Sequence, residues 1–109
     1  MNKDEIPPGT LYLLILKTLA RGGEMHGYEI TRFIQRISDD VLQVEEGSLY
    51  PALQRMLIKG WVTAKWGATA DNRRARYYRL TALGRKQLDV EVSQFERVVA
   101  AISRVIQTA

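Results

Sequence analysis

The sequence contains no cysteine and only one histidine, His26. Without cysteine the chain has no disulfide framework and no thiolate that could act as a ligand or nucleophile. A single histidine with neither a second histidine nor a cysteine cannot anchor a metal site, so we expect no metal and no other cofactor. His26 is better explained by a structural role at the start of a helix. The alternative is a pH switch, which nothing else in the sequence supports.

Long apolar runs are also missing. The longest nearly apolar stretch, residues 11–16, is far too short to cross a bilayer. The first residues include acids and Pro7-Pro8, where a signal peptide would begin with basic residues and continue with a long apolar run. We therefore expect a cytoplasmic protein with no membrane partner. An enzyme is not indicated either, because the sequence has no histidine pair, cysteine or glycine-rich phosphate loop.

The net charge of +4 is modest, but the charges are unevenly distributed. Residues 55–86 contain nine lysines and arginines and one acid, Asp71, which gives this segment a net charge of +8. Residues 1–54 have five basic and eight acidic residues, and residues 87–109 have two and three. One strongly basic region on a nearly neutral body favours a polyanionic partner such as nucleic acid.

The hydrophobic pattern predicts one small domain of the α+β class that is mostly helical. Residues 10–20 form a helix that is apolar almost all round, so it must be covered on more than one side. A second helix opens with residues 25–28 and repeats apolar residues at helical spacing: Ile30, Phe33, Ile34 and Ile37. Residues 38–40 (Ser-Asp-Asp) end the second helix, and a third helix lies within residues 44–60.

The third helix is the first candidate site. Ser48, or Glu46 before it, is expected to cap the helix, with Pro51 in or near its first turn and Gly60 at its end. Glu45 and Glu46 are interpreted as partners of the helix dipole. The outer face has no acid and suits the DNA major groove; the alternative is an ordinary surface helix. The residues predicted to contact DNA are Ser48, Tyr50, Pro51, Gln54 and Arg55, of which Pro51 has the weakest support.

A basic β-hairpin is the second candidate site. Residues 61–66 and 73–80 are predicted strands, and residues 67–72 are turn-like. Because clustered arginines repel one another without an anion, we predict that three of them contact phosphates or the minor groove: Arg73, Arg74 and Arg76. The alternative is a merely solvated hairpin. Strand alternation puts Tyr78 and Leu80 on one face, so Tyr78 is predicted to lie in the core. Three helices followed by a basic hairpin is the order of a winged helix-turn-helix.

The last helix is predicted to span residues 82–106, with Thr81 as its N-cap. Six apolar residues repeat in steps of four and three, as in a heptad seam: Leu88, Val92, Phe95, Val99, Ile102 and Ile106. A helix of this length is longer than so small a domain can cover, so we predict that the stripe forms a homodimer. Trp61, Trp66 and Phe95 are each more often core residues than ligand platforms. Phe95, with Val92 and Val99, is nevertheless kept as a candidate site for a flat aromatic or hydrophobic effector.

Three segments resemble the PadR family of bacterial transcriptional regulators. They are Met25-His26-Gly27-Tyr28, residues 44–53 (VEEGSLYPAL), and residues 72–81 (NRRARYYRLT) followed by Gly84-Arg85. The likeness covers about residues 9–106, and the short C-terminus resembles the subfamily with a single dimerisation helix. The resemblance implies a homodimeric repressor that binds a palindromic operator in double-stranded DNA and often senses small hydrophobic compounds.

The predicted organisation therefore has three parts. Residues 1–8 form a flexible arm, residues 9–81 a winged helix-turn-helix DNA-binding domain, and residues 82–109 a C-terminal dimerisation helix. The competing hypothesis is a winged-helix module used for protein interaction or ligand carriage instead of DNA binding. A module of that kind would not need the basic cluster, so salt-dependent DNA binding distinguishes the two hypotheses.

Overall fold

The computed structural model describes residues 6, 7 and 9–109. These residues form seven elements in the chain order α1 (Leu11–Gly22), β1 (Met25–His26), α2 (Gly27–Ile37), α3 (Glu46–Ile58), β2 (Val62–Ala68), β3 (Arg74–Leu80) and α4 (Ala82–Ile106). This is the predicted fold class: α+β, mostly helical, with a winged helix-turn-helix followed by a long last helix. The predicted flexible arm, residues 1–8, lies outside the described residues except for Ile6 and Pro7.

The three strands form one antiparallel sheet in the order β1–β3–β2. β2 and β3 pair along their whole length and make the hairpin. β1 adds only two residues, Met25 opposite Tyr78 and His26 opposite Tyr77. β1 was not predicted from the sequence, because two residues are too few to show strand alternation. Through β1, the start of α2 is attached directly to the hairpin.

The core lies between the first three helices and the inner face of the sheet. Its fully or almost fully buried side chains come from all of these elements: Ile15, Leu16, Leu19, Ile30, Ile34, Leu49, Ala52, Leu53, Met56, Val62, Tyr78 and Leu80. α1 packs against α2, β3 and α4, which explains why this helix is apolar almost all round. Tyr78 is 4% exposed, as the alternation along its strand predicts.

α3 begins earlier than predicted. Its N-cap is Glu45, whose backbone carbonyl accepts a hydrogen bond from the Ser48 N–H at 3.0 Å and whose side chain makes no capping bond. The prediction of Ser48 or Glu46 as the cap is therefore wrong, since both lie inside the first turn. Pro51 lies in the second turn, where its missing N–H deprives the Gly47 carbonyl of its helical partner. Gly47 is exposed, so water can bind that carbonyl instead.

His26 caps α2. Its Nδ1 accepts a hydrogen bond from the Glu29 N–H at 3.4 Å, and the Glu29 carboxylate accepts one from the His26 N–H at 3.0 Å. This reciprocal pair satisfies two backbone donors that a helix start leaves free. The predicted structural role of His26 at the start of the second helix is thus confirmed. Ile37, predicted on the inner face, is exposed because α2 ends at that residue.

Thr81 joins the hairpin, the end of α3 and the start of α4. Its hydroxyl donates to the Gly60 carbonyl at 2.7 Å and accepts from the Gly84 N–H at 3.0 Å. Its own N–H donates to the Trp61 carbonyl at 3.0 Å. Gly84 is buried against that same carbonyl, and a Cβ at residue 84 would collide with it. The predicted cap and the predicted bounds of α4 are both confirmed.

α4 leaves the domain as it proceeds. Leu88 packs against the core and Val92 is half-buried, whereas the other stripe residues are exposed: Phe95, Val99, Ile102 and Ile106. Exposure reaches 75% at Ile106. The helix carries this apolar stripe, together with exposed Val98 and Val105, beyond the surface that the rest of the chain covers. Contiguous apolar surface of this kind is typical of a contact site.

We predict opposite effects for two glycine substitutions. Gly84→Ala forces a methyl group into the Trp61 carbonyl and should lower the free energy of unfolding by about 2–3 kcal/mol, as overpacking of a tight site does. Gly47→Ala is the control, because a Cβ there meets no atom within 4 Å. It should raise stability by about 0.5–1 kcal/mol, since alanine favours a helix over glycine. Urea unfolding at equal protein concentration measures both, and equal stabilities of the two variants would contradict this account of the junction.

Candidate nucleic-acid interface

A groove runs between the hairpin, the start of α2 and the exposed side of α3. Its volume is about 920 Å³. β3 forms one side with residues 74–78, the segment 69–71 and Trp66 extend that side, and Gly27, Tyr50 and Gln54 lie across from it. The two candidate sites predicted from the sequence therefore face each other across one groove.

The exposed side of α3 contains the five residues predicted there: Ser48, Tyr50, Pro51, Gln54 and Arg55. Tyr50 and Gln54 line the groove, whereas the other three lie on the same exposed face outside it. Arg55 is drawn towards α1, because its Nε donates to the Tyr12 hydroxyl at 2.7 Å and its guanidinium lies 5.6 Å from the centre of the Tyr12 ring. The structure thus separates Arg55 from the groove side of α3.

Tyr50 crosses the start of α2. Its hydroxyl and ring edge lie where a side chain on Gly27 would be, so glycine is the only residue that leaves this space open. Burial raises the pKa of the Tyr50 hydroxyl, and the nearby Glu46 carboxylate and Tyr78 raise it further. The hydroxyl therefore stays protonated at neutral pH and is available as a hydrogen-bond donor for an anion.

The three hairpin arginines have different surroundings. Arg73 lies at the tip, where its Nε is 3.7 Å from the Asp71 carboxylate. Arg74 stacks on Trp66, with its guanidinium carbon 4.5 Å from the ring centre. Arg76 lies deeper and is half-buried, 5.7 Å from the Trp66 ring and 5.8 Å from the Tyr78 ring. Its Nε is buried and finds no hydrogen-bond acceptor among the described residues.

The hairpin tip is held by its own backbone. The Thr69 N–H donates to the Arg73 carbonyl at 2.8 Å, and Asn72 adopts a left-handed conformation with φ of 64°. The Tyr77 hydroxyl donates to the Ala68 carbonyl at 3.0 Å on the outer face. The charged tip is consequently an ordered turn at the start of the strand that carries Arg74.

Trp66 corrects one prediction. Its residue type predicted a core position, but Trp66 is 56% exposed and its ring lies under the Arg74 guanidinium. The helices cover the inner face of the sheet as far as the pair Ala64–Tyr78. The next pair on that face, Trp66 with Arg76, lies beyond the helices. The strand register, which the sequence analysis did not derive, would have revealed this neighbour of Arg76. Trp61, in contrast, packs against the core and meets Tyr12 edge to face at 5.2 Å.

The part of the chain that the structure describes has no group of three or more His, Cys, Asp and Glu side chains placed to hold a metal ion. Among its helices, none combines the length and apolar character that crossing a membrane requires.

The chain is similar to known proteins over most of its length. The model of the transcriptional regulator PadR-like family matches residues 15–90. An uncharacterised protein of Lysinibacillus sphaericus is 31% identical over 98 residues, which make up 90% of this chain and 89% of that protein.

Two solved structures extend the comparison. A transcriptional regulator from Clostridium thermocellum has a TM-score of 0.82 at 27% identity, and the match covers 91% of this chain and 95% of that one. PadR from Bacillus subtilis, solved in complex with operator DNA, has a TM-score of 0.68 at 25% identity. That match covers 80% of this chain and 48% of that one.

Proposed function

The chain belongs to the PadR-like family of transcriptional regulators, which are not enzymes, and from this membership we propose that it is a sequence-specific DNA-binding repressor. In this proposal it acts in the cytoplasm as a homodimer on a palindromic operator. The observation that carries the proposal is the single groove with hairpin arginines on one side and the polar face of α3 on the other. The B. subtilis relative solved with operator DNA supports it.

The two sides of the groove have separate tasks in the proposed complex. α3 enters the major groove and presents Tyr50, Gln54 and neighbouring Ser48 and Pro51, because an α-helix fits that groove and its N-terminal residues meet base edges. The hairpin follows the phosphates into the minor groove with Arg73, Arg74 and Arg76. Arginine is favoured there by the negative potential of a narrow minor groove. Arg55 is the least supported contact, because its guanidinium is already engaged by Tyr12.

The alternative function is a winged-helix module for protein interaction or ligand carriage. The cluster of arginines around Trp66 argues against it, because a neutral partner would leave these charges without a counterpart. Titrating salt into a DNA-binding assay separates the two. A steep loss of affinity with salt supports DNA binding, and no binding to any duplex at low salt would support the alternative.

The exposed stripe of α4 supports the proposed homodimer. Two copies that pack their α4 helices together would cover Phe95, Val99, Ile102 and Ile106, which no other element of the described chain covers. Two α3 helices must lie about 34 Å apart to reach successive major grooves, and a two-fold dimer would match a palindromic operator.

We further propose that a flat aromatic or hydrophobic effector binds between the protomers beside Phe95, Val92 and Val99. Because Thr81 joins α4 rigidly to the hairpin, a ligand that spreads or tilts the α4 seam would change the spacing of the two α3 helices. A preference of about 3 kcal/mol for the mis-spaced dimer would weaken operator binding roughly 150-fold.

The division of tasks predicts two different mutant profiles. Arg74→Ala should weaken operator and random DNA about equally and lower the salt slope by about one unit, because a phosphate contact carries no sequence information. Gln54→Ala should reduce the preference for the operator by about 1–3 kcal/mol, since a base contact is lost. Fluorescence anisotropy with both duplexes over a salt series measures these effects. Arg104→Ala, in the last turn of α4, is the charge control, and identical profiles for Arg74→Ala and Gln54→Ala would contradict the division.

If two α4 helices pack along the stripe that contains Ile102, Ile102→Glu should abolish the dimer. A glutamate there would be buried without a partner, which should cost several kcal/mol of assembly free energy. Sedimentation velocity at micromolar concentration measures the change. Val41→Glu, which alters an exposed apolar residue outside α4, should leave the dimer intact. A dimer that survives Ile102→Glu at that concentration would show that the seam lies elsewhere.

The effector proposal predicts that a neutral planar aromatic such as naphthalene binds the free dimer and lowers operator affinity. Phe95→Ala should weaken this binding by removing the aromatic contact at the centre of the stripe. Calorimetry gives the binding constant, and operator affinity is measured on the same samples. Binding that leaves operator affinity unchanged would contradict the regulatory mechanism, although not the dimer.

A further inference from the structure

Trp66 is a large aromatic residue that the core does not use. It is 56% exposed and lies beyond the part of the sheet that the helices cover. Its neighbours on the same face of the hairpin are Arg76, directly opposite it, and Arg74, one pair further along that face. Because an exposed ring contributes little to the stability of the core, its contacts with the two arginines are the ones that can give it a role.

Both guanidinium groups lie over aromatic rings. The guanidinium carbon of Arg74 is 4.5 Å from the centre of the Trp66 ring, and that of Arg76 is 5.7 Å from the same centre. Tyr78 provides a second ring for Arg76 at 5.8 Å. A cation within about 6 Å of a ring centre is attracted by the negative face of the ring. One indole therefore attracts the charged ends of both arginines.

The two arginines carry the same charge close together. They are two residues apart on one side of β3, which separates their Cα atoms by about 7 Å. Among the described residues no ion pair includes either of them, and Asp71, the acid nearest in the chain, pairs with Arg73. Repulsion between the two guanidinium groups favours side-chain conformations that move them apart into solvent. The attraction of both groups to Trp66 opposes this separation.

We propose that Trp66 is a positioning residue for DNA binding, which holds Arg74 and Arg76 side by side in the groove before DNA arrives. A free arginine side chain has many rotamers, and restricting them on binding lowers the affinity that its contact provides. Stacking on Trp66 restricts the two side chains already in the free protein, so their contacts with phosphates form with a smaller loss of entropy. This inference rests on the proposed DNA-binding function and adds to it an uncharged residue on which affinity depends.

The arrangement is tested first in the full-length protein without DNA. The ring current of Trp66 should shift the Arg74 Nε–H signal upfield in ¹H–¹⁵N spectra, and Trp66→Leu should return that signal to the position of a solvated arginine. Arg79 is the internal control, because it is exposed on the opposite face of β3 and its signal should not move. If Trp66→Leu leaves the Arg74 signal in place, the ring does not hold the guanidinium and the proposal is overturned.

Binding of a labelled mixed-sequence duplex over a salt series is the second test. Trp66→Leu should weaken binding about tenfold at every salt concentration, because two cation–π contacts are lost. The slope of affinity against salt should stay unchanged, since no charge is removed, whereas Arg74→Ala lowers it. Trp66→Phe should bind within about threefold of the parent, because phenylalanine keeps an aromatic face. A ring that only packs against the DNA sugars would be replaced equally well by leucine and by phenylalanine.

A double-mutant cycle shows whether Trp66 acts through the arginines. In the Arg74→Ala background, Trp66→Leu should weaken binding about threefold instead of about tenfold, because only Arg76 is left to be held. Additive losses in this cycle, or equal losses for Trp66→Leu and Trp66→Phe, would overturn the positioning role. Trp66→Gln, which also lacks an aromatic face, replaces Trp66→Leu if the leucine variant does not fold.

The affinity of the parent protein separates this inference from the function on which it rests. If the parent binds no duplex even at low salt, the proposed DNA-binding function fails, and the role of Trp66 fails with it. If the parent binds with a steep salt dependence and Trp66→Leu binds equally well, only the role of Trp66 is refuted.

Discussion

The hydrogen bonds of Thr81 join the end of α3, the base of the hairpin and the start of α4. One hydroxyl connects the end of α3 through Gly60 with the first turn of α4 through Gly84, while the Thr81 backbone holds the base of the hairpin at Trp61. Because the carbonyl of Trp61 also lies against Gly84, the end of α3, the hairpin and α4 meet within one buried contact. This uncharged junction and the packing of α1 against α4 together set the orientation of the groove relative to the α4 stripe.

Much of this architecture was visible in the sequence because strong periodicity and end signals agree there. α4 matched its predicted bounds, since a long heptad stripe and a threonine cap point to the same start. Tyr78 and Leu80 are buried as alternation along a strand requires. The order of the elements predicted a winged helix-turn-helix, and the structure then brings Gln54 and the hairpin arginines to one groove.

The features that the sequence concealed depend on partners distant in the chain. β1 exists only because β3 lies beside it, and neither of its two residues has a local preference strong enough to reveal it. Trp66 is a residue type that is common in cores, but the register of the sheet places it beyond the helices, beside Arg74 and Arg76. Arg55 lies on the helix face that was predicted to contact DNA, but it donates a hydrogen bond to the Tyr12 hydroxyl on a different helix. In each case the missing information is a tertiary contact between segments that local patterns describe separately.

The contact of Tyr50 with Gly27 has a consequence for how this surface can change over evolution. Tyr50 fills the volume that any side chain at residue 27 would need, so a side chain there requires the tyrosine to move or to be replaced. A larger residue in place of Gly27 would push the tyrosine ring out towards the groove and close part of it. Relatives that have lost the glycine should therefore have a smaller residue in place of Tyr50, and the two columns of a family alignment should covary. The start of one helix and the groove face of the next would then be inherited as a pair.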